Sequence, residues 1–235
     1  MFCHNCGANV EPNTQFCPSC GQTMGAAPRA APPPQATVPL PYVPPAAASA
    51  QTGKWIGEAW EIVKSDIMMF ALAALLFAVV GHAVPVILQG VMVVGFNILI
   101  IKKMVHGRLD IGDMFKGFSF FAPALVAQIL ISLFSFIGLL LCIIPGLVIA
   151  AMYMFTFLFI LDKRMEFWPA MQASAEIVKK DYVGFTLFIL ACGLLQVLGA
   201  LACIVGLFVT VPIAYVAIVV AYRDLVGFDP QTANL

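Results

Sequence analysis

The residues of this chain whose types and spacing could do chemistry are four cysteines close to its start. They form two Cys-x-x-Cys pairs that lie 14 residues apart, at Cys3, Cys6, Cys17 and Cys20. A glycine follows each pair, at Gly7 and Gly21, and glycine permits the positive φ that a tight metal-binding turn needs. Four soft thiolate ligands suit a tetrahedral zinc ion and leave no coordination position open. The spacing therefore predicts one structural zinc ion with no hydrolytic role.

Disulfides and a different ligand set are the alternatives to this metal site. Disulfides are rare inside the cell, and the topology predicted below places these cysteines in the cytoplasm. His4 could replace a cysteine, but four thiolates make a fifth ligand unnecessary, so we expect His4 to be exposed to solvent. A unit of this size has almost no core, so metal binding should supply its folding free energy, with Phe2 and Phe16 adding apolar packing.

The composition of the chain is that of a membrane protein. Of its 235 residues, 62% are hydrophobic and only 10% are charged, and the mean hydropathy is +0.98. A soluble domain is usually about 45–50% apolar and about 25% charged. Three stretches contain no Asp, Glu, Lys or Arg, at residues 67–101, 117–161 and 182–222. Each is long enough for two crossings of about 20 residues and has glycine or proline near its middle, so we expect three helical hairpins.

A short amphipathic segment precedes each hairpin and indicates a repeated unit. The sequence EIVKSD at residues 61–66 recurs as EIVKKD at residues 176–181, in both cases directly before an apolar stretch. Helical spacing places one set of apolar side chains on a single face of each segment. The three sets are Ile56, Ala59, Trp60 and Val63; Ile111, Met114, Phe115 and Phe118; and Trp168, Met171, Ala175 and Val178. Such helices suit the membrane interface.

The predicted fold is therefore an all-α polytopic membrane domain together with a small N-terminal zinc ribbon. Six transmembrane helices form three hairpins, each with an interfacial helix before it. The expected parts are a zinc ribbon at residues 1–24, an Ala/Pro-rich linker at 25–53, the six-helix domain at 54–228 and a C-terminal tail at 229–235.

Lysine and arginine flank the apolar stretches, and none lies at a hairpin tip. Six crossings place all the flanking basic residues on the same side as the two termini. The positive-inside rule then predicts a multi-pass protein of the cell membrane with both termini in the cytoplasm.

Polar side chains inside the apolar stretches carry no fixed charge. They are His82, Gln89, Asn97, Gln128, Tyr153, Thr156, Gln196, Thr210 and Tyr215. Ion pumps and proton-coupled transporters usually bury acids or bases, so this set weakens that interpretation. We expect Gln128 and Gln196 to hydrogen-bond between helices, and Asp66 and Asp181 to cap the helices that follow them. No Ser/His/Asp, Cys/His or paired-carboxylate arrangement stands out, so the sequence predicts no catalytic residue and no enzyme.

Two parts of the chain resemble known families. Residues 2–21, with the pattern FCxxCG followed by FCPxCG, look like the short zinc-ribbon domains that open many bacterial membrane proteins, which implies the same four cysteine ligands. Residues 54–228 are similar to a group of six-helix membrane domains that includes the membrane region of some glycerophosphodiester phosphodiesterases. The matching features are LCIIPGL at 141–147, the segment 170–174 and YRDL at 222–225. No phosphodiesterase domain is present, so this resemblance implies a membrane protein and does not transfer that activity.

These observations lead to two functional hypotheses. In the first, a non-enzymatic protein is anchored among membrane lipids, and its ribbon recruits or senses a cytoplasmic protein partner. Residues 1–24 contain no Lys or Arg, which disfavours nucleic acid because phosphate contacts need cations. In the second, the protein is a transporter or lipid-handling protein regulated by the ribbon. A polar central cavity would favour the second hypothesis, and a packed bundle would favour the first.

Overall fold

The computed structural model describes residues 2–3, 5–9, 11, 16–21, 45, 47–83, 87–141, 143–202 and 206–232. The chain forms two compact units, Met1–Val38 and Pro39–Leu235. The first unit contains the four cysteines, and the second is helical.

The helical unit repeats one arrangement three times, as the sequence predicts. A short helix is followed by two longer apolar segments that lie against each other. The elements are α1 (Thr52–Ser65), α2 (Ile67–Ala83), α3 (Ile87–His106), a 3-10 helix (Ile111–Phe120), α4 (Phe121–Leu141), α5 (Ile143–Tyr153), α6 (Thr156–Asp162), α7 (Phe167–Val178), α8 (Tyr182–Leu201) and α9 (Leu207–Leu225). The connections at 84–86, 142 and 203–205, including Cys142 and Cys203, lie outside the described residues.

Several of these helices are long and apolar enough to span a membrane. In the described part of the chain, five segments meet this condition on their own: Ile87–His106, Ile111–Gly138, Ile144–Asp162, Tyr182–Leu201 and Leu207–Leu225. The sixth predicted span is α2, which has 17 residues and is bent by 100° from α1. It completes the count of six when the bent pair is taken as one span. The fold is thus the all-α membrane architecture that the sequence predicts.

Helix α3 lies at the centre of the bundle. Its residues 90–101 are all buried, and it contacts α2, the 3-10 helix, α4, α6 and α9. An apolar helix that is buried on every side is typical of the core of a membrane bundle. Many side chains of α4 and α8, by contrast, point outward, including Phe136, Leu140, Leu190 and Leu194. Those outward faces are suited to lipid.

The buried face of α1 includes a tryptophan that is not in the predicted apolar set. Ala59 and Val63 of that set are buried and Trp60 is 42% exposed, whereas Trp55, outside the set, is only 1% exposed. The Trp55 ring packs against two phenylalanines of α8, and its Nε1 donates a hydrogen bond of 3.2 Å to Asp224. A contact with a residue 169 positions away therefore decides which tryptophan faces inward.

The second short segment is a 3-10 helix, whereas the sequence spacing predicts an α-helix. Its buried residues Met114, Gly117 and Phe120 are three positions apart, which is the period of a 3-10 helix. Phe115 and Phe118, which belong to the predicted apolar face, are 50% and 42% exposed. In α7, three residues of the predicted apolar face are buried, Met171, Ala175 and Val178, and the fourth, Trp168, is 50% exposed.

Two glycines allow the 3-10 helix to lie directly on α3. A Cβ added to Gly117 would come within 2.9 Å of the Cα of Gly95, and a Cβ added to Gly95 would collide with the backbone of Met114. Close backbone approach at small residues is a common way for membrane helices to pack.

Ion pairs join helix ends at the positions that flank the apolar stretches. Asp66 pairs with Lys103, and Asp113 accepts hydrogen bonds from both Lys102 at 2.8 Å and Lys116 at 2.9 Å. Asp181 caps α8 as predicted: its side chain accepts from the Gly184 N–H at 2.9 Å and from the Ala50 N–H at 3.0 Å.

The YRDL segment at the end of α9 is a structural junction. The Tyr222 hydroxyl donates to the Asp162 carboxylate at 3.0 Å, and Asp224 accepts from Lys54 at 2.7 Å. The carboxylate of Asp162 is fully buried and also pairs with Lys163 at 3.0 Å. Arg223, which lies between Tyr222 and Asp224, pairs with Glu58 of α1. These three consecutive residues therefore connect α9 to α1 and α6.

The predicted linker and tail both contribute residues to the helical unit. Ala48 and Ala50 pack against its core. The backbone N–H of Asp229 donates to Asp162 at 2.8 Å, and Thr232 is 2% exposed and donates to the carbonyl of Asp162.

Candidate functional site

The two Cys-x-x-Cys segments fold as matching turns. The Gly7 N–H donates to the Cys3 carbonyl at 2.8 Å, and the Gly21 N–H donates to the Cys17 carbonyl at 2.9 Å. Both glycines have positive φ values, of 72° and 69°, as the sequence predicts. Each turn therefore closes at a glycine, in a backbone conformation that residues with a side chain rarely adopt.

The turns bring all four thiols together. The four Sγ atoms lie within 4.8 Å of one another, with 3.8 Å between Cys3 and Cys20 and 3.6 Å between Cys6 and Cys17. All four are free thiols, and these separations are far from the roughly 2.05 Å of a disulfide bond. Tetrahedral zinc with Zn–S bonds of about 2.3 Å places its sulfurs ~3.8 Å apart. The donor set and its spacing therefore fit a metal ion such as zinc.

The backbone around the site favours thiolates at two of its positions. Hydrogen bonds from the backbone of Asn5 and Cys6 lower the pKa of Cys3 to about 6. The backbone of Ser19 likewise lowers the pKa of Cys17. For Cys6, the backbone of Ala8 acts in the same direction, but the neighbouring thiols of Cys20 and Cys17 outweigh it and raise the pKa to about 12. A cysteine must lose its thiol proton to bind a metal. A bound cation would therefore replace the protons that hydrogen-bond these neighbouring sulfurs to one another.

The small ribbon has little apolar packing of its own. Cys3 and Cys17 are buried and Ala8 packs beside them, whereas Cys6 and Cys20 are exposed. Phe2 and Phe16, which the sequence analysis assigned to packing, are 73% and 58% exposed. Their rings are instead displayed on the surface of this unit. His4 lies outside the described residues, so its predicted exposure stays a prediction.

A second feature lies inside the helical unit, where seven helices, α2 to α6 with α8 and α9, line a cavity of about 720 Å³. The polar residues that face it include six of the predicted membrane residues: Gln89, Asn97, Gln128, Tyr153, Gln196 and Tyr215. The lining in the described part of the chain has no Asp, Glu, Lys, Arg or His. The bundle is thus not fully packed, and its interior space is neutral.

Most of these polar groups have no partner among the residues that the structure describes. The sequence predicts that Gln128 donates a hydrogen bond to another helix. Its side chain instead donates to Ser132 of its own helix, at 3.0 Å. Among the described residues, the amide of Gln196 has no hydrogen-bond partner, although the sequence analysis also assigned it to a bond between helices. The hydroxyls of Thr156 and Thr210 are buried without a partner in the same described part. Which polar side chains converge depends on how these seven helices are rotated about their axes, and sequence periodicity alone does not give this rotation.

Comparison with known families identifies the first unit. Residues 2–24 match the family described as zinc-ribbon domain. Together with the four convergent thiols, this match shows an N-terminal zinc-ribbon domain suited to binding a metal ion.

The chain is also similar to uncharacterized proteins of mycobacteria. One is from Mycobacterium bovis (strain ATCC BAA-935 / AF2122/97), and two are from Mycobacterium tuberculosis, strains CDC 1551 and H37Rv. Each is 35% identical over an alignment of 131 residues that covers 53% of this chain and 40% of the relative. No solved structure matches the chain. The resemblance to membrane regions of glycerophosphodiester phosphodiesterases stays a prediction.

Proposed function

We propose that this is a non-enzymatic integral membrane protein whose zinc ribbon recruits a protein partner in the cytoplasm. The observation that carries the proposal is the set of four Sγ atoms within 4.8 Å. A closed four-thiolate site leaves no position for substrate, so one structural ion that holds a small binding module is the role it supports.

The surface of the ribbon supports a protein partner over nucleic acid. Phe2 and Phe16 are the exposed aromatic side chains of this unit, and exposed aromatic residues are common anchors in protein interfaces. Residues 1–24 contain no Lys or Arg to contact phosphates.

The proposal includes a cytoplasmic location for both termini. The charged residues that flank the apolar stretches contact one another, as in the pairs Lys103–Asp66 and Lys54–Asp224. These contacts support a single charged end of the bundle, which the positive-inside rule assigns to the cytoplasm.

Labelling of single cysteines introduced at the hairpin connections would test the orientation. We expect a membrane-impermeant maleimide to label residues 84–86 and 203–205 in intact cells from the outside. Labelling that requires permeabilisation of the membrane would contradict the topology.

Site-specific crosslinking in cells would test the recruiting role. A photoreactive amino acid at position 19, next to the exposed Cys20, should crosslink the full-length chain to a defined cytoplasmic protein. Two variants separate the causes: Cys17→Ser should lose both metal and crosslink, and the double variant Phe2→Ser/Phe16→Ser should keep zinc but lose the crosslink. Position 119, exposed in the 3-10 helix, is the control site. A pattern of crosslinked proteins that the phenylalanine variant leaves unchanged would refute the role of this surface.

A transporter or lipid-handling protein is the second candidate, and the neutral cavity in the bundle favours it. That cavity lies entirely within the helical unit, so its role can be tested separately from that of the ribbon.

A further inference from the structure

The cavity of the helical unit is built from all six long apolar segments. Asn97 lies in the middle of α3, and Tyr215 lies in the middle of α9. The Tyr215 ring is held edge-on by Phe77 at 5.5 Å and Phe96 at 5.4 Å between ring centroids. Polar groups therefore reach the cavity at mid-helix, where lipid outside the bundle offers no hydrogen bonds.

Five polar side chains of the lining lack a partner within the described part of the chain. Among the residues that the structure describes, none donates to or accepts from the amides of Gln89, Asn97 and Gln196 or the hydroxyls of Tyr153 and Tyr215. Asn97 is only 4% exposed, and the other four side chains are half-buried. Buried polar groups in proteins are nearly always hydrogen-bonded, so the buried amide of Asn97 indicates that a molecule inside the cavity is its partner.

The chemistry of the lining restricts what that molecule can be. Amides and hydroxyls both donate and accept, so they suit hydroxyl, ester or amide groups. The described lining has no fixed charge to pair with a phosphate, a carboxylate or an ammonium group, and a buried unpaired charge is strongly disfavoured. The rest of the wall is apolar and includes Phe77, Val93 and Phe157.

We propose that the cavity binds one uncharged amphipathic lipid of the diacylglycerol class. Its glycerol hydroxyl and ester carbonyls occupy the polar mid-helix region around Asn97, and its acyl chains cover the apolar wall. A volume of about 720 Å³ lies within the ~300–1,000 Å³ typical of small-molecule sites, so it holds the head region and part of the chains.

Two probes that differ only in the head group test this proposal. The full-length protein is placed in phosphatidylcholine nanodiscs and titrated with a photoreactive diacylglycerol or with the phosphatidic acid that has the same acyl chains. We expect saturable labelling by diacylglycerol, on peptides of α3, α8 and α9, with half-saturation at least tenfold below that of phosphatidic acid. Unlabelled diacylglycerol should compete.

Variants connect this labelling with the polar lining. Asn97→Leu and Gln196→Leu remove hydrogen-bonding groups at similar volume, and each should weaken diacylglycerol labelling at least fivefold. Gln172→Leu makes the same change at an exposed position of α7 and should have no effect. Mapping the labelled peptides in the wild-type protein keeps the test valid if a variant fails to fold.

Three outcomes would overturn the proposal. Equal labelling by both probes would show no selection against the phosphate. Labelling confined to outward positions such as Leu198 would show surrounding bilayer lipid only. An absence of saturable labelling would leave water as the occupant of the cavity.

Discussion

The guanidinium group of Arg223 forms two parallel hydrogen bonds with the carboxylate of Glu58, at 2.6 Å and 3.0 Å. This pair joins the end of α9 to α1 across 165 positions of sequence. Arginine suits such a planar pair because its fork of N–H groups matches a carboxylate, whereas lysine offers a single point charge.

Glu58→Gln should lower the free energy of unfolding by about 1 kcal/mol, because the pair is only partly shielded from water. Glu61→Gln is the matched control, since Glu61 lies 4.0 Å from Lys64 on the exposed side of the same helix. Denaturation of the detergent-solubilised protein measures both. Equal loss in the two variants would show that the Arg223 pair adds no stability.

Removal of one thiol from the ribbon should release its metal. Purified protein should contain about one zinc per chain, and Cys17→Ser should lose most of it because three thiolates remain. Cys192→Ser, a change of the same type in the membrane bundle, should keep the full content. Metal analysis by plasma mass spectrometry gives the result, and a metal-free wild type that is still folded at residues 1–24 would refute the site.

Ser174→Ala should destabilise the bundle by roughly 1–3 kcal/mol, because it leaves buried backbone groups without partners. The Ser174 hydroxyl donates to the Met152 carbonyl at 2.7 Å and accepts from the Phe155 N–H at 3.2 Å, where α5 ends and α6 has not begun. Ser119→Ala, at an exposed position, is the control. Thermal unfolding followed by fluorescence should separate the two variants, and similar melting temperatures would argue against this role.

Two glycine-to-alanine changes should shift stability in opposite directions. Gly95→Ala should cost about 1–3 kcal/mol, because the added methyl group meets the backbone of the 3-10 helix. Gly57→Ala places the same group in open space on the exposed side of α1, where alanine favours the helix by about 1 kcal/mol. Chemical denaturation measures the sign of each change, and a stabilising Gly95→Ala would contradict the close approach.

The cysteine site and the threefold hairpin plan could be predicted because each depends on local signals. Paired cysteines with following glycines specify a turn, and long apolar stretches specify crossings. The choice of Trp55 over Trp60 could not be predicted, because it depends on Asp224 and two phenylalanines of α8. The 3-10 helix was not predicted, because its period of three residues is close to the α-helical period of about 3.6. The close approach of Gly117 to Gly95 on α3 favours the 3-10 form over the α-helix, and this contact cannot be seen in the sequence.

The partners of the polar residues that line the cavity also depend on tertiary structure. Each polar residue in an apolar stretch can be seen, but its partner depends on helix rotation. Gln128 finds its partner one turn away in α4, while Gln196 faces open space. The interruption of the fourth span, between α5 and α6 at Met154 and Phe155, involves no glycine or proline that would have indicated it in the sequence.

That interruption has a consequence for how the protein is made. Residues 152–155 leave the ribosome about twenty residues before Ser174, so their backbone groups enter the membrane without the hydroxyl that later satisfies them. Unpaired backbone groups are strongly disfavoured in lipid. The second hairpin therefore cannot reach its final form until synthesis has reached Ser174 in α7.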